Sequence, residues 1–321
     1  MVALRRPDEL APPLPDGRPT LKIKPHSEEK IHYWGCFAEA AATVTKRTSS
    51  RVKFSGRRAC LDLFASNGFC EVVGTGKLTW GSALVALQLA YPFDVYVFND
   101  ISRETTDTLA ARAEDVGVDG AAVFRLDLGD ESFGKRASEV KGAKVYGPRV
   151  VVTCGDANAA PAYVKLLLPG LPGYRYILAL IDPPGADFHW DALEALVFQE
   201  RSMDVISLFP DAMELNRWLS LYRKSEALAA KPNAYFGDRG WREAVDRNPE
   251  HPKQAMREFY ETRMLNLGLR VGDAKVIRGR TTNSDLYRLI FASKNRFGVD
   301  LWNRVNRRTP WGQDELPLTL L

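Results

Sequence analysis

The stretch that decides the fold is Ile177-Leu178-Ala179-Leu180-Ile181-Asp182-Pro183-Pro184-Gly185. Its short apolar run predicts a buried strand, and the strand must end after Asp182 because proline has no N–H to donate to a sheet ladder. In open α/β sheets, ligands bind in the crevice beyond the carboxyl ends of the strands. The stretch therefore predicts a carboxylate at the ligand-binding edge of a sheet.

The composition is that of an ordinary globular protein. The chain has 321 residues, of which 45% are hydrophobic, and a formal net charge of +4. This mild positive charge permits a nucleic acid partner without requiring one. The four cysteines form no Cys-x-x-Cys pair, so we expect neither structural disulfides nor a metal site. We find no signal-peptide pattern and no membrane-spanning run, and we expect a soluble, cytoplasmic protein with no membrane partner.

Strand-like and helical segments alternate through most of the chain. This alternation predicts an α/β fold with a doubly wound, mostly parallel, seven-stranded sheet. Two late strands, 274–277 and 285–292, predict a closing antiparallel hairpin. The domains that we expect are a flexible tail (1–20), an N-terminal helical extension (21–56), a Rossmann domain (57–296) and a C-terminal helix and tail (297–321).

Four strands in succession end at or near an acid, namely Asp62, Asp100, Asp156 and Asp182. An acid after the second strand can accept hydrogen bonds from ribose hydroxyls. Asp156 could accept one from an adenine amino group. The alternative is that these residues only end strands and cap helices.

The turn after the first of these strands bears on the cofactor. It contains no G-x-G-x-x-G run, whereas a nicotinamide dinucleotide needs a backbone cradle for its pyrophosphate. S-adenosylmethionine (SAM) has no pyrophosphate, and the closing hairpin resembles the methyltransferase sheet. Gly68 would allow the backbone to approach a ligand closely. The cofactor-binding residues that we expect are Asp62, Phe64, Ala65, Ser66, Gly68, Asp100, Asp156 and Ala157.

The Asp-Pro-Pro sequence resembles the Asp-Pro-Pro-aromatic motif of methyltransferases that modify exocyclic amines of nucleobases. That resemblance implies that Asp182, Pro183 and Pro184 are catalytic, with the acid and a proline carbonyl accepting hydrogen bonds from the amine. The fourth position holds Gly185 instead of an aromatic residue. Candidates for a stacking or substrate-binding side chain follow it, although each could be a core or incidental residue: Phe188, His189 and Trp190.

Motifs in order along nearly the whole chain resemble those of the three-Cys-motif partner protein family. They are His26-Ser27-Glu28-Glu29-Lys30-Ile31, Leu61-Asp62-Leu63-Phe64-Ala65-Ser66-Asn67-Gly68, Gly81-Ser82-Ala83-Leu84, Phe98-Asn99-Asp100, Gly155-Asp156-Ala157-Asn158, Ile181-Asp182-Pro183, Phe236-Gly237-Asp238, Trp241-Arg242, and Tyr287-Arg288-Leu289-Ile290-Phe291-Ala292-Ser293-Lys294. The resemblance implies a methyltransferase-like Rossmann fold. It also implies a second protein as partner, an iron-sulfur, radical-type enzyme that carries three cysteines.

The chain departs from this family at two places. Ala65-Ser66-Asn67-Gly68 stands where Ala-Gly-Pro-Gly is usual, which concerns the cofactor turn. Pro184 stands where phenylalanine is common, which moves the chain toward the amine-methyltransferase pattern.

Three functions remain open at this point. The first is a SAM-dependent methyltransferase acting on nucleic acid or a nucleobase-like amine. The second is a catalytically inactive adaptor that binds the three-cysteine enzyme or its nucleic acid. The third is a metal-dependent nuclease or hydrolase with Asp62, Asp100 and Asp182 as cation ligands. Arginines of the C-terminal third either form a phosphate-binding surface or are scattered: Arg239, Arg242, Arg257, Arg263, Arg270, Arg278, Arg280 and Arg288.

Overall fold

The computed structural model describes residues 10–46, 58–168, 175–199, 202–210, 213–221, 225, 227–279 and 284–308. The helices are α1 (His26–Lys46), α2 (Ser82–Leu87), α3 (Arg103–Val116), α4 (Phe133–Gly142), α5 (Ala160–Leu167), α6 (Trp190–Gln199), α7 (Met213–Leu221), α8 (Ala230–Phe236), α9 (Gly240–Arg247), α10 (Pro252–Asn266) and α11 (Arg296–Asn306). The strands are β1 (Leu21–Ile23), β2 (Arg58–Asp62), β3 (Phe69–Val72), β4 (Lys77–Trp80), β5 (Val95–Asp100), β6 (Ala122–Asp127), β7 (Arg149–Cys154), β8 (Tyr176–Ile181), β9 (Met203–Phe209), β10 (Arg270–Val271), β11 (Lys275–Arg278) and β12 (Asp285–Ser293).

The main sheet has the order β10-β12-β9-β8-β2-β5-β7-β6, and β11 also pairs with β12. The strands from β9 to β6 run parallel, whereas β12 is antiparallel to β9, β10 and β11. The expected doubly wound α/β fold with a closing antiparallel hairpin is therefore confirmed. Within the described residues the sheet has nine strands rather than seven, because β6 extends one edge and the short β10 pairs with β12 near the other.

The central strands are apolar runs because helices cover both of their faces. Every residue of β8 and β9 is buried. Alternate residues of a strand point to opposite faces, and the core is divided accordingly. Ala59 and Leu61 join a cluster with α5, α6 and α10, whereas Cys60 joins a cluster with α1, α2, α3 and α11.

The glycine-rich stretch after β2 forms a hairpin rather than an extended turn. Strands β3 and β4 pair antiparallel, and Gly74 and Gly76 adopt positive φ angles between them. Strand β1 pairs parallel with β3, so a small three-stranded sheet joins the N-terminal extension to the Rossmann domain.

Residues 10–20 contact the body of the protein, although the sequence predicts a flexible tail there. Asp16 accepts two hydrogen bonds from the guanidinium of Arg112, at 2.8 and 2.9 Å. Arg112 is buried and also donates to the carbonyl oxygen of Asn67 at 2.8 Å. The N-terminal segment is thereby tied to the turn after β2.

The Ser102 side chain caps helix α3 by accepting a hydrogen bond from Thr105 N. Helix α1 begins at His26. None of the described helices is both long enough and apolar enough to span a bilayer.

We predict that Asp16→Ala lowers the free energy of unfolding by about 2 kcal/mol, because it removes the carboxylate paired with a buried guanidinium. Urea unfolding measures this change. Asp115→Ala is the matched control, since Asp115 pairs with Arg18 on the surface and its loss should change stability little. Equal effects of the two variants would contradict the prediction.

Candidate functional site

The carboxyl ends of β2, β5, β7 and β8 surround one cavity of about 610 Å³. Residues 21–30, which include β1 and the start of α1, form the opposite wall of the cavity. The lining residues are Leu21, Lys22, Ile23, Lys24, His26, Ser27, Lys30, Leu63, Phe64, Ser66, Asn99, Asp100, Ile101, Gly155, Asp156, Ala157, Asp182, Pro183, Pro184 and Asp187. Three of the four strand-end acids, Asp100, Asp156 and Asp182, thus share one cavity.

Asp182 forms an ion pair with Lys30 of helix α1. Both side chains are only 17% exposed. Burial is the largest single influence on Lys30 and lowers its pKa, but the attractions of Asp182, Tyr287 and Cys70 together outweigh it, so the pKa of the ammonium group is raised. The Lys30 Nζ also lies 5.5 Å from the ring centroid of Tyr287, whose other neighbour is the His26 ring at 5.6 Å.

Asp100 is held by backbone N–H groups from two elements. Its Oδ2 accepts from Ser66 N at 3.2 Å, and its Oδ1 accepts from Ser102 N at 3.0 Å. The carboxylate thereby links the turn after β2 to the start of α3. A carboxylate offers about four lone-pair positions, so these two bonds leave acceptor capacity for a ligand.

The turn after β2 has an unusual backbone at Ser66, whose φ of +54° lies in the left-handed region. Glycine adopts this region without a steric penalty, which gives a physical reason for glycine at this position in the family that the chain resembles. Ala65 is buried and its N–H donates to the Asn99 carbonyl at 2.8 Å. Gly68 does not line the cavity, and a Cβ there would lie 2.6 Å from Leu84 Cδ1.

Asp62 lies beneath the cavity and does not line it. It is fully buried, and it accepts hydrogen bonds from Ser82 Oγ at 2.5 Å and from Phe64 N at 3.2 Å. Burial raises the pKa of Asp62 to about 7, and the charges of Asp182 and Asp100 add to this increase. Its role in the structure is to support the turn.

Asp156 combines the two roles that the sequence left open. It lines the cavity beside Ala157, and it also caps a short 3-10 helix by accepting from Asn158 N at 2.9 Å. The Asn158 side chain also donates to the Asp187 carbonyl at 2.9 Å. One asparagine thus joins the loops that follow β7 and β8.

The three aromatic candidates after Gly185 do not line this cavity. Phe188 is buried with its ring edge-on to Phe64 at 6.2 Å, and Trp190 is buried against Tyr260. His189 is exposed, and its backbone N donates to Asn158 Oδ1 at 2.7 Å. The aromatic rings in the lining belong to Phe64 and His26.

Sequence reasoning missed several residues of the site, among them Lys30 and Asn99. Lys30 lies in a motif that was recognised, but nothing local shows that its helix crosses the sheet edge. Asn99 is buried, donates to the carbonyls of Leu63 and Gly155, and accepts from Thr153 Oγ1. A polar residue next to Asp100 at the end of an apolar strand was the signal that could have identified it.

The arginines of the C-terminal third do not form one surface. Arg257 and Arg288 line a second cavity of about 500 Å³ together with Asn216. In contrast, Arg263 pairs with Asp238 beside Trp190, and Arg280 lies outside the described residues. The second cavity also contains acids, among them Asp285, which pairs with Arg288.

The described part of the chain contains no group of three or more His, Cys, Asp or Glu side chains placed to hold a metal ion. Asp62, Asp100 and Asp182 accordingly do not form such a group.

No protein-family model matches the chain, and no curated protein matches its sequence. Solved structures do resemble it. A magnesium protoporphyrin IX methyltransferase from Synechocystis PCC 6803 with bound S-adenosylhomocysteine (SAH) is 11% identical, with a TM-score of 0.36 over 84% of this chain and 87% of that chain. An O-methyltransferase from Bacillus cereus in complex with SAH is 12% identical, with a TM-score of 0.38 over 80% and 79%. A candidate RNA methyltransferase from Pyrococcus horikoshii is 11% identical, with a TM-score of 0.30 over 80% and 82%. Likenesses this low concern the fold alone.

We predict that Asp62 makes the protein less stable as the pH rises from about 4 to about 7. The unfolded chain releases this proton near pH 4, whereas the folded protein retains it up to about pH 7. Asp62→Asn should remove this part of the pH dependence, about 4 kcal/mol at full extent. Chemical unfolding at a series of pH values measures it.

Asp204→Asn is the matched control for this prediction. Burial raises the pKa of Asp204 to about 6, so its loss should flatten only the part of the curve below pH 6. Identical pH profiles for Asp62→Asn and the unsubstituted protein would contradict the role of Asp62.

Proposed function

We propose that this protein is a SAM-dependent methyltransferase that acts on a nucleobase-like amine, with nucleic acid as the substrate class. The observation that carries the proposal is the meeting of Asp100, Asp156 and Asp182 around one cavity at the carboxyl edge of the sheet. Perturbed or paired carboxylates in a single cleft are typical of functional sites.

The residues present fit SAM in size and charge. A cavity of about 610 Å³ lies within the range of small-molecule sites. SAM carries a sulfonium and an ammonium group, and carboxylates outnumber the other charged groups near the strand ends. In this proposal Asp100 holds the ribose hydroxyls and Asp156 the adenine amino group. The backbone of Phe64, Ala65 and Ser66 faces the amino-acid end.

Asp62 and Gly68 take supporting roles in this proposal. Asp62 fixes Phe64 N, and Gly68 allows α2 to pack closely against the turn. Both therefore act on the shape of the turn.

The chemistry that SAM supplies when bound is an electrophilic methyl group. The protein's contribution is to hold donor and acceptor in a reactive geometry. Asp182, followed by the rigid Pro183 and Pro184, accepts a hydrogen bond from the acceptor amine and orients its lone pair. The ring of Phe64 lines the cavity at this edge of the sheet, whereas Phe188, His189 and Trp190 do not. Phe64 is therefore the candidate for contact with a flat acceptor.

We predict that SAH binds the protein and that Asp100→Ala weakens this binding by roughly tenfold or more, since it removes a charge-assisted hydrogen bond. Titration calorimetry measures both affinities. Asp107→Ala is the control, because Asp107 is an exposed acid on α3 away from the cavity. Absence of SAH binding to the unsubstituted protein would refute the proposed cofactor.

The proposal includes a partner, an iron-sulfur enzyme with a three-cysteine motif, which rests on the ordered motifs of the sequence. A non-catalytic adaptor is the second candidate function, and Gly185 favours it because no ring follows Asp-Pro-Pro. Both readings predict a stable complex with a three-cysteine-motif protein from the same genome. Size-exclusion chromatography at micromolar concentration tests it, and separate elution of the two proteins would remove the partner. Transfer of labelled methyl groups from SAM to RNA or DNA then separates enzyme from adaptor.

A further inference from the structure

The ion pair between Lys30 and Asp182 brings a positive charge to the acid that the proposed function assigns to the acceptor. Lys30 reaches the cavity from the first turns of α1, and its Nζ contacts Asp182 Oδ2. The pair is largely buried, so solvent screens it weakly. At the acceptor end of the cavity Lys30 therefore balances the charge of Asp182, whereas Asp100 and Asp156 lie toward the other strands.

Groups on several elements face Lys30. Asp182 follows β8, Tyr287 lies on β12, and Cys70 on β3 is close enough to influence the charge of Lys30. The ring of Tyr287 lies beside the ammonium and provides a cation–π contact. The ammonium is thus held on two sides, by a carboxylate and by a ring.

We propose that Lys30 makes the acceptor end selective for a neutral aromatic amine and excludes protonated alkylamines, such as lysine side chains and polyamines. This inference rests on the proposed function and adds the residue that excludes charged amines from the acceptor position. Lys30 is a specificity-determining residue in this proposal, and it is also the residue that fixes the position of Asp182.

The selection follows from charge. The ammonium of Lys30 already contacts one carboxylate oxygen of Asp182. An alkylammonium ion that approached Asp182 would be repelled by it, because like charges repel strongly at short range in a buried site. A neutral amine adds no charge, and its N–H can donate to the other oxygen, because a carboxylate accepts at both. Exocyclic amines of nucleobases are neutral near pH 7, so they satisfy this requirement.

A purely structural role for the pair predicts something different. If Lys30 only anchored α1 to the sheet, its replacement would lower stability and vacate a cation position, but the nucleoside affinity of the folded variants would stay unchanged. The test must therefore measure ligand selectivity in folded variants.

The experiment compares the full-length protein with three variants, each checked for folding by thermal unfolding. Lys30→Met keeps a buried apolar side chain but vacates the position of Nζ, which methylammonium can fill. Lys30→Arg keeps the charge. The double variant Lys30→Met with Asp182→Asn removes both charges. The probes are methylammonium, adenosine and cytidine, and ligand-observed NMR measures binding with and without SAH.

The expected result is a reversal of selectivity. The unsubstituted protein and Lys30→Arg bind at least one nucleoside in the presence of SAH and do not bind methylammonium. Lys30→Met binds methylammonium and loses nucleoside affinity by roughly tenfold or more, the factor that corresponds to one pKa unit of charge interaction. The double variant loses methylammonium binding, which assigns that binding to Asp182.

Two results would overturn the inference. One is methylammonium binding to the unsubstituted protein as strong as that to Lys30→Met; the other is a folded Lys30→Met that does not bind methylammonium. Failure of SAH to bind refutes only the proposed cofactor. The methylammonium titrations without SAH still measure whether Lys30 keeps alkylammonium ions from binding to Asp182. Binding of neither nucleoside to the SAH-loaded protein would overturn the narrower acceptor class.

Discussion

The parallel alignment of β2, β5, β7 and β8 is the constraint on which the rest of the structure depends. Because these strands run in one direction, the residues that follow them emerge at one edge of the sheet. Their buried interiors are nearly all apolar, so the polar groups are concentrated at the ends. The shared direction of the strands brings the acids together in spite of their mutual repulsion. This repulsion is one reason for the raised pKa of Asp62.

The fold offsets this repulsion differently for each acid. Asp62 is buried beneath the cavity and receives a short hydrogen bond from a serine hydroxyl. Asp100 is held by two backbone N–H groups, and Asp156 by the backbone and side chain of an asparagine. Where both partners lie in the described part of the chain, Asp182 is the one acid of the four that pairs with a cation, Lys30. The four carboxylates are therefore chemically distinct, which a site with different tasks at its donor and acceptor ends requires.

The strands and the acids at their ends could be predicted from the sequence because both are local features. An apolar run closed by Asp-Pro-Pro predicts a strand end, and β8 ends at Ile181, immediately before Asp182. The contacts of Lys30, and of Asp16 with Arg112, join residues 152 and 96 positions apart, and no local pattern encodes them. The position of the aromatic candidates outside the cavity could not be predicted for a similar reason, since only packing decides whether Phe188 faces a cavity or the core.

The turn after β2 shows how a serine can occupy a backbone position that favours glycine. Ser66 adopts the left-handed conformation that glycine favours, and it does so while its N–H donates to Asp100. That hydrogen bond and the support of Phe64 N by Asp62 help to offset the strain, which is of order 1 kcal/mol for such a residue. The serine is therefore compatible with this backbone conformation. Gly185 is the other departure from the resembled sequence patterns. It follows Asp-Pro-Pro and so concerns the proposed acceptor rather than the proposed cofactor.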